Sequence, residues 1–248
     1  MIGKYVDSIR LKGELPADSY LSNLSVVKNL ISMTSLPFRN DVTFFVGENG
    51  TGKSTLIEAI AVCTGFNAEG GTKNFAFSTN NTVSELSEHI TISKTRFAKD
   101  GFFLRAESFY NAASYIDEID IGPSFQVPVI SNYGGISLHK QSHGESFLAL
   151  IQNRFGGNGL YILDEPEAAL SPSRQMTLLC EINSLVKQNS QFIIATHSPI
   201  LLAFPQATIY EITDNGINEI AYEECEHYKL YKQFLNDPKR MLKYLLEE

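Results

Sequence analysis

Gly47-Glu48-Asn49-Gly50-Thr51-Gly52-Lys53-Ser54-Thr55 fits G-x-x-x-x-G-K-[ST] without a mismatch. The residues on either side decide what the match means. Before it, Val42-Thr43-Phe44-Phe45-Val46 is β-branched and aromatic, the composition of a buried strand. After it, Thr55 to Cys63 places Leu56, Ile57, Ile60 and Ala61 at helical spacing. Strand, glycine loop and helix is the context in which backbone N–H groups and a helix N-terminus cradle phosphates. Lys53 then reaches the terminal phosphates, and Ser54 offers its hydroxyl to Mg²⁺. The expected ligand is a nucleoside triphosphate.

Composition frames this site. A chain of 248 residues with 43% hydrophobic content suits one α/β core carrying a small inserted lobe. A net charge of −8 argues against a surface that grips nucleic acid or anionic membrane along its whole extent. Cys63, Cys180 and Cys225 are odd in number and form no C-x-x-C, so they read as reduced thiols in a cytoplasmic protein. The first residues lack the apolar run of a signal peptide, and nowhere do eighteen apolar residues follow one another.

Along the chain, Tyr5 to Leu11 alternates as a half-exposed strand does, and Gly65 to Gly71 is a glycine-rich connector. His89–Phe97 and Phe102–Phe109 suggest a hairpin around Lys99-Asp100-Gly101. A helix near Tyr110–Ile119 and a Gly/Pro/Ser-rich passage to Ser137 follow. The second half alternates strand and helix. Gly159–Leu163 and Gln191–Thr196 read as buried strands, and Pro172–Lys187 as a long amphipathic helix. Thr208–Thr213 and Ile217–Ala221 form a hairpin pattern around Asn215-Gly216, and two short helices beyond Glu223 meet near Asp237-Pro238. This order implies a mainly parallel sheet flanked by helices. The expected organisation is one domain over 1–248, with the inserted lobe at roughly 66–143 and C-terminal helices at roughly 223–248.

Three further segments carry chemistry. Leu160-Tyr161-Ile162-Leu163 ends in Asp164 and Glu165. At a strand's C-terminal edge Asp164 can hold Mg²⁺ beside Ser54, while Glu165 stands where a general base or water-orienting group is needed. Ala195-Thr196-His197-Ser198-Pro199 ends the next strand, where His197 can donate to a γ-phosphate. Ser142-His143-Gly144-Glu145-Ser146 opens an apolar helix; alone it is a helix cap, or a set of backbone N–H groups turned to an anion.

Taken together, the order and spacing resemble the ABC-type ATPases: Walker A, signature, Walker B with its adjoining Glu, then the switch His. Strings such as Phe45-Val46-Gly47-Glu48-Asn49-Gly50, Ser142-His143-Gly144-Glu145-Ser146-Phe147 and Leu163-Asp164-Glu165-Pro166-Glu167 look like the small predicted ATPases with an AAA domain of that class. The resemblance covers nearly the whole chain. It implies a P-loop NTPase of the ABC type, with a mainly parallel sheet, an antiparallel β lobe and a small helical lobe. ATP and Mg²⁺ are the implied ligands, and hydrolysis of the ATP phosphoanhydride is the implied reaction. It also implies an ATP-dependent homodimer in which Ser142 and Gly144, with Glu145 closing the motif, cover the γ-phosphate bound by the other subunit.

Departures from the family pattern are concrete. Gln141 and His143 replace the Leu and first Gly of L-S-G-G-E, and Ala168-Ala169-Leu170-Ser171 lacks the D-loop's final Asp. The best match to the Q-loop Gln is Glu107, which can approach Mg²⁺; Arg105 and Glu107 read equally well as a surface strand pair. The leading expectation is a stand-alone ATP-hydrolysing switch. An ATPase of a DNA repair or defence complex is the alternative, although an offset of 89 positions from Lys53 to Ser142 leaves no room for long coiled-coil arms. A transporter subunit ranks lower, because the signature is weakened and the Gln that meets a membrane subunit is missing. The motifs do not name a protein or nucleic-acid partner.

Overall fold

The computed structural model describes residues 4–13, 15, 18–73, 84–106, 109–119 and 129–246. Nine strands and nine α-helices occur among these residues. In chain order they are β1 (Val6–Leu11), α1 (Ser25–Ser32), β2 (Leu36–Pro37), β3 (Val42–Gly47), α2 (Lys53–Thr64), α3 (Leu86–His89), β4 (Ile90–Lys94), β5 (Asp100–Arg105), α4 (Phe109–Ile119) and α5 (His143–Arg154). Then come β6 (Gly159–Asp164), α6 (Pro172–Lys187), β7 (Gln191–Ala195), α7 (Pro199–Leu202), β8 (Thr208–Thr213), β9 (Gly216–Ile220), α8 (Glu226–Asn236) and α9 (Pro238–Leu246).

The main sheet runs β5-β6-β7-β3-β8-β9. Its first five strands are parallel, and β9 returns antiparallel from β8. Burial on both faces explains why β3, β6 and β7 read as unbroken apolar runs. Phe44 faces one core with Phe102, Phe147, Tyr161 and Leu178. Its neighbour Phe45 faces the other, with Leu56, Ile60, Ile162 and Ile193. That second core also receives Val6, Ile9 and Leu36 from an antiparallel sheet ordered β2-β1-β4. Two layers therefore clamp a central sheet, and the expectation of a mainly parallel α/β sheet with an antiparallel β lobe holds.

The hairpin expected around Lys99-Asp100-Gly101 does not form. β4 pairs with β1 in the small sheet, whereas β5 pairs in parallel with β6, Asp100 lying opposite Gly159. Side-chain demand explains the split. Phe102, Phe103 and Leu104 are buried on both faces and require the sandwiched sheet, while β4 is covered on one side only. Asp100 is no turn residue: it accepts from Arg154 Nη1 at 2.7 Å, the Tyr161 hydroxyl at 2.8 Å and Gly156 N–H at 2.9 Å. Within the expected inserted lobe, 66–143, β5 is thus a strand of the main sheet.

Candidate active site

The phosphate loop sits at the carboxyl end of β3, and its shape depends on glycines. Gly52 has φ +95°, and a Cβ there would lie 2.6 Å from Val26 Cγ1 of α1. Gly50 has φ +84°. At Gly47 a Cβ would come 2.5 Å from the Ile212 carbonyl of β8. Only glycine fits such positions without strain. Thr51 ties the loop to itself, its hydroxyl donating to Glu48 O at 2.9 Å. Glu48, Asn49 and Gly50 line a cleft of about 670 Å³ with Ser25, Asp214, Glu226, His227 and Leu230.

Lys53 opens α2 and is buried, its Nζ donating to Gly47 O and Glu48 O at 2.8 Å each. Burial lowers its pKa, while Glu165, Asp164 and Glu167 pull it back up. Ser54 follows, its hydroxyl donating to Asp164 Oδ1 at 3.1 Å, and Thr55 lies in the same first turn, half-buried. The Ser54 hydroxyl and the Asp164 carboxylate are hard oxygen donors side by side, the donor set that Mg²⁺ prefers. Their placement follows from register: β6 and β3 both flank β7, and Asp164 and Phe45 are each level with Ala195. Three chemically loaded strand ends therefore adjoin.

Glu165 is half-exposed with φ 49° and ψ 52°, a left-handed conformation unusual outside glycine. Pro166 disfavours the right-handed helical region for the residue before it, and Glu165 N–H donates to Ala195 O at 3.0 Å. The carboxylate thereby turns toward His197, with Glu165 Oε1 lying 3.8 Å from His197 Nε2. That Nε2 is buried and has no hydrogen-bond partner. Its other nitrogen, Nδ1, is 2.8 Å from His227 Nε2 on α8. Burial, with help from Lys53 and His227, pushes the His197 pKa down to about 4, so the ring is neutral at pH 7.

Several site residues carried no clear sequence signal. Glu167 holds the switch segment in place: Oε1 accepts from His197 N–H at 2.5 Å and Oε2 from the Thr196 hydroxyl at 2.7 Å. Burial nonetheless raises its pKa, against those hydrogen bonds. The Arg105 side chain is only 24% exposed. Its Nε lies 3.3 Å from Asp164 Oδ2 and its Nη1 2.9 Å from Glu58 Oε2, an ion-pair chain running from the helix behind the phosphate loop to the Walker B strand. Glu107, the expected Q-loop equivalent, lies outside the described residues.

Ser142, Gly144 and Glu145 form the N-terminus of α5, which packs against α6. Ser142 and Glu145 make a capping box, the Ser142 hydroxyl donating to Glu145 Oε2 at 2.6 Å and its N–H at 3.1 Å. Arg174 Nη2 pairs with Glu145 Oε1 at 3.0 Å, and Arg174 Nη1 reaches the Ser142 hydroxyl at 3.3 Å. Gly144 has little room for a side chain, since a Cβ would sit 2.9 Å from the backbone carbonyl oxygen of Ala169. His143 stacks on Phe109, ring centroids 5.6 Å apart, so its side chain lies against α4.

The family model for an AAA ATPase domain matches residues 78–202, half of the chain, and one for an AAA domain matches residues 25–120. The chain belongs to the AAA ATPase domain family. This AAA ATPase also resembles known proteins outside those models. It is 30% identical over 133 residues to a probable ATPase of retron Vc95 from Vibrio cholerae, covering 47% of this chain and 25% of that one. It is 26% identical over 180 residues to the zinc import ATP-binding protein ZnuC of Wolbachia pipientis, covering 72% and 71%. The chain therefore spans only a quarter of the retron protein's length. Among solved structures, CbiO1 of Clostridium perfringens, part of an ABC transporter complex, aligns with TM-score 0.53 at 15% identity over 99% of this chain and 100% of that one. An ATP-binding cassette of another ABC transporter gives 0.52 at 18% identity, over 98% and 99%. These likenesses establish the ABC-type ATPase fold around the motifs described above. Among the described residues no helix is long and apolar enough to cross a membrane.

Proposed function

We propose that this AAA ATPase hydrolyses ATP in a Mg²⁺-dependent reaction and acts as a nucleotide-dependent dimerisation switch. The observation that carries the reading is the convergence of Lys53, Ser54, Asp164, Glu165 and His197 on adjoining carboxyl ends of β3, β6 and β7. Ligands of open α/β sheets bind at such strand ends. Gly47 to Thr55 present their amides to the phosphates, and Lys53 exchanges its two carbonyl partners for phosphate oxygens. Ser54 and Asp164 would hold Mg²⁺, which neutralises charge on the transferred phosphoryl group. The Glu165 carboxylate orients the attacking water and accepts its proton, and neutral His197 donates from Nε2 to the γ-phosphoryl oxygen.

The exposed Ser142 edge supplies the second half of the reading. It opens a helix of twelve residues, and a partner's γ-phosphate placed there would meet the amides of the α5 N-terminus. In this reading Ser142 and Gly144 act in trans, Glu145 holds the serine, and a homodimer encloses two ATP molecules. By the family resemblance, Glu107 is assigned to the Mg²⁺ environment as the Q-loop equivalent. The unpaired Cys63, Cys180 and Cys225 support a cytoplasmic setting. The retron relative favours, as a second reading, service in a defence or DNA-processing complex with a protein or nucleic-acid partner.

Nucleotide binding and turnover of purified Lys53→Ala and Glu165→Gln proteins test the catalytic part. Lys53→Ala weakens ATP binding about 10- to 100-fold, the loss of a charge-assisted phosphate contact. Glu165→Gln binds ATP as the wild type does, while turnover falls about 10²- to 10⁴-fold. Wild-type turnover in either variant contradicts the assignment.

A further inference from the structure

We propose that His227 on α8 is a positioning residue for hydrolysis: its Nε2–H donates to His197 Nδ1 and so keeps the proton of His197 on Nε2, facing Glu165. The inference rests on the reading of His197 as the donor to the γ-phosphoryl group. Its basis is the 2.8 Å contact between His197 Nδ1 and His227 Nε2, with the two rings edge-to-face at 64° and 4.8 Å between centroids. One of these nitrogens carries the hydrogen and the other the lone pair.

The surroundings of His197 Nε2 decide which. That atom is buried, lacks a hydrogen-bond partner and lies 3.8 Å from the carboxylate of Glu165. A lone pair on Nε2 would face carboxylate oxygen, and phosphate oxygens beyond it, with no attraction to either. An N–H there points its positive end at both. With the proton on Nε2, His197 Nδ1 is an acceptor, and the group beside it that can donate is His227 Nε2–H. Burial lowers the pKa of both imidazoles, so the bond joins two neutral rings at pH 7. The backbone of His197 is fixed separately by Glu167, which leaves ring orientation and tautomer to His227.

Sequence alone gave no hint of this partner, which lies thirty residues further along the chain. Its helix also lines the cleft beside Gly47–Thr51 through Glu226, His227 and Leu230. α8 therefore borders the loop that precedes Lys53 and backs the switch histidine.

The test compares His227→Ala, His227→Gln and His197→Ala in steady-state ATP hydrolysis, with ¹⁵N spectra of the His197 ring in wild type and both His227 variants. His197→Ala loses at least about 10²-fold in kcat. His227→Ala loses about 10-fold or more in kcat with KM for ATP unchanged, the scale of a lost hydrogen bond that orients a working histidine. His227→Gln, whose amide N–H can donate to the same Nδ1, recovers most of that loss. The wild-type spectrum shows His197 protonated on Nε2, and His227→Ala shows a mixture. If His197→Ala is inactive while His227→Ala turns over normally, or if His227→Gln is no better than Ala, the relay is wrong and the site reading stands. A wild-type His197 protonated on Nδ1 overturns it without any variant. An active His197→Ala overturns the site reading itself, and the relay with it.

Discussion

Glu165 adopts a backbone conformation that costs a non-glycine residue roughly 1–2 kcal/mol, and the chain holds it there from both sides. Pro166 blocks the helical alternative, and the bond from Glu165 N–H to Ala195 O ties it to the strand that delivers His197. At the same scale, His197 is neutral because burial disfavours its charged form, with Lys53 and His227 adding to that. A pKa pushed down to about 4 means that the folded protein declines a proton the unfolded chain accepts near pH 6.5. The sign follows: this residue's contribution to stability is intact above pH 6.5 and diminishes as pH falls from there toward 4. NMR of the His197 ring in the nucleotide-free protein checks it. The ring signals stay constant between pH 8 and 5.5; a titration centred near 6.5 would show an exposed, unperturbed imidazole instead.

The elements show where sequence reading succeeds and where it stops. The loop from Gly47 to Thr55, the strand ending at Asp164 and the helix from Pro172 carry their own signatures, since local composition and period decide each. Their meeting at the carboxyl end of one sheet is legible through motif order. The partner of β5 was not, because Ile90–Lys94 and Asp100–Arg105 are both short apolar runs, and neither states which sheet will take it. Arg105 with Glu58, Glu167 with His197 and His197 with His227 are likewise pairings of residues 30 to 47 positions apart, without a local period to betray them. Asp100 shows what such pairings contribute. Burial would raise its pKa, but hydrogen bonds from Gly156 N–H, Arg154 and Tyr161 outweigh burial and hold it below the usual carboxylate value. Stability from this group is present above the unfolded pKa near 3.8 and lost as pH falls through the lower folded one. Asp100→Asn leaves Arg154, half-buried against it, without its charge partner. It should cost about 2–4 kcal/mol in urea unfolding at pH 7, with a smaller difference from wild type at pH 3. Equal destabilisation at both pH values would assign the loss to packing.

On the scale of the whole molecule, the proposed switch requires the phosphate loop of one chain and the Ser142 edge of a second to meet on one nucleotide. The Ser142 hydroxyl is satisfied within its own capping box, and Arg174 braces Glu145 beside it, so the edge is prepared before any partner arrives. Ser142→Arg adds bulk and charge to this exposed edge while leaving Lys53, Ser54 and Asp164 untouched. The variant should bind ATP as a monomer with near-normal affinity and turn over at least about 10-fold more slowly, since the trans contacts to the γ-phosphate are lost. Light scattering of Glu165→Gln without nucleotide, with ADP and with ATP plus Mg²⁺ measures the central claim directly. The switch predicts the 27.6 kDa mass of one chain without nucleotide and with ADP, and twice that mass with ATP. A mass indifferent to ATP, or a doubled mass that persists in Ser142→Arg, would contradict it and leave an ATPase that completes its site alone.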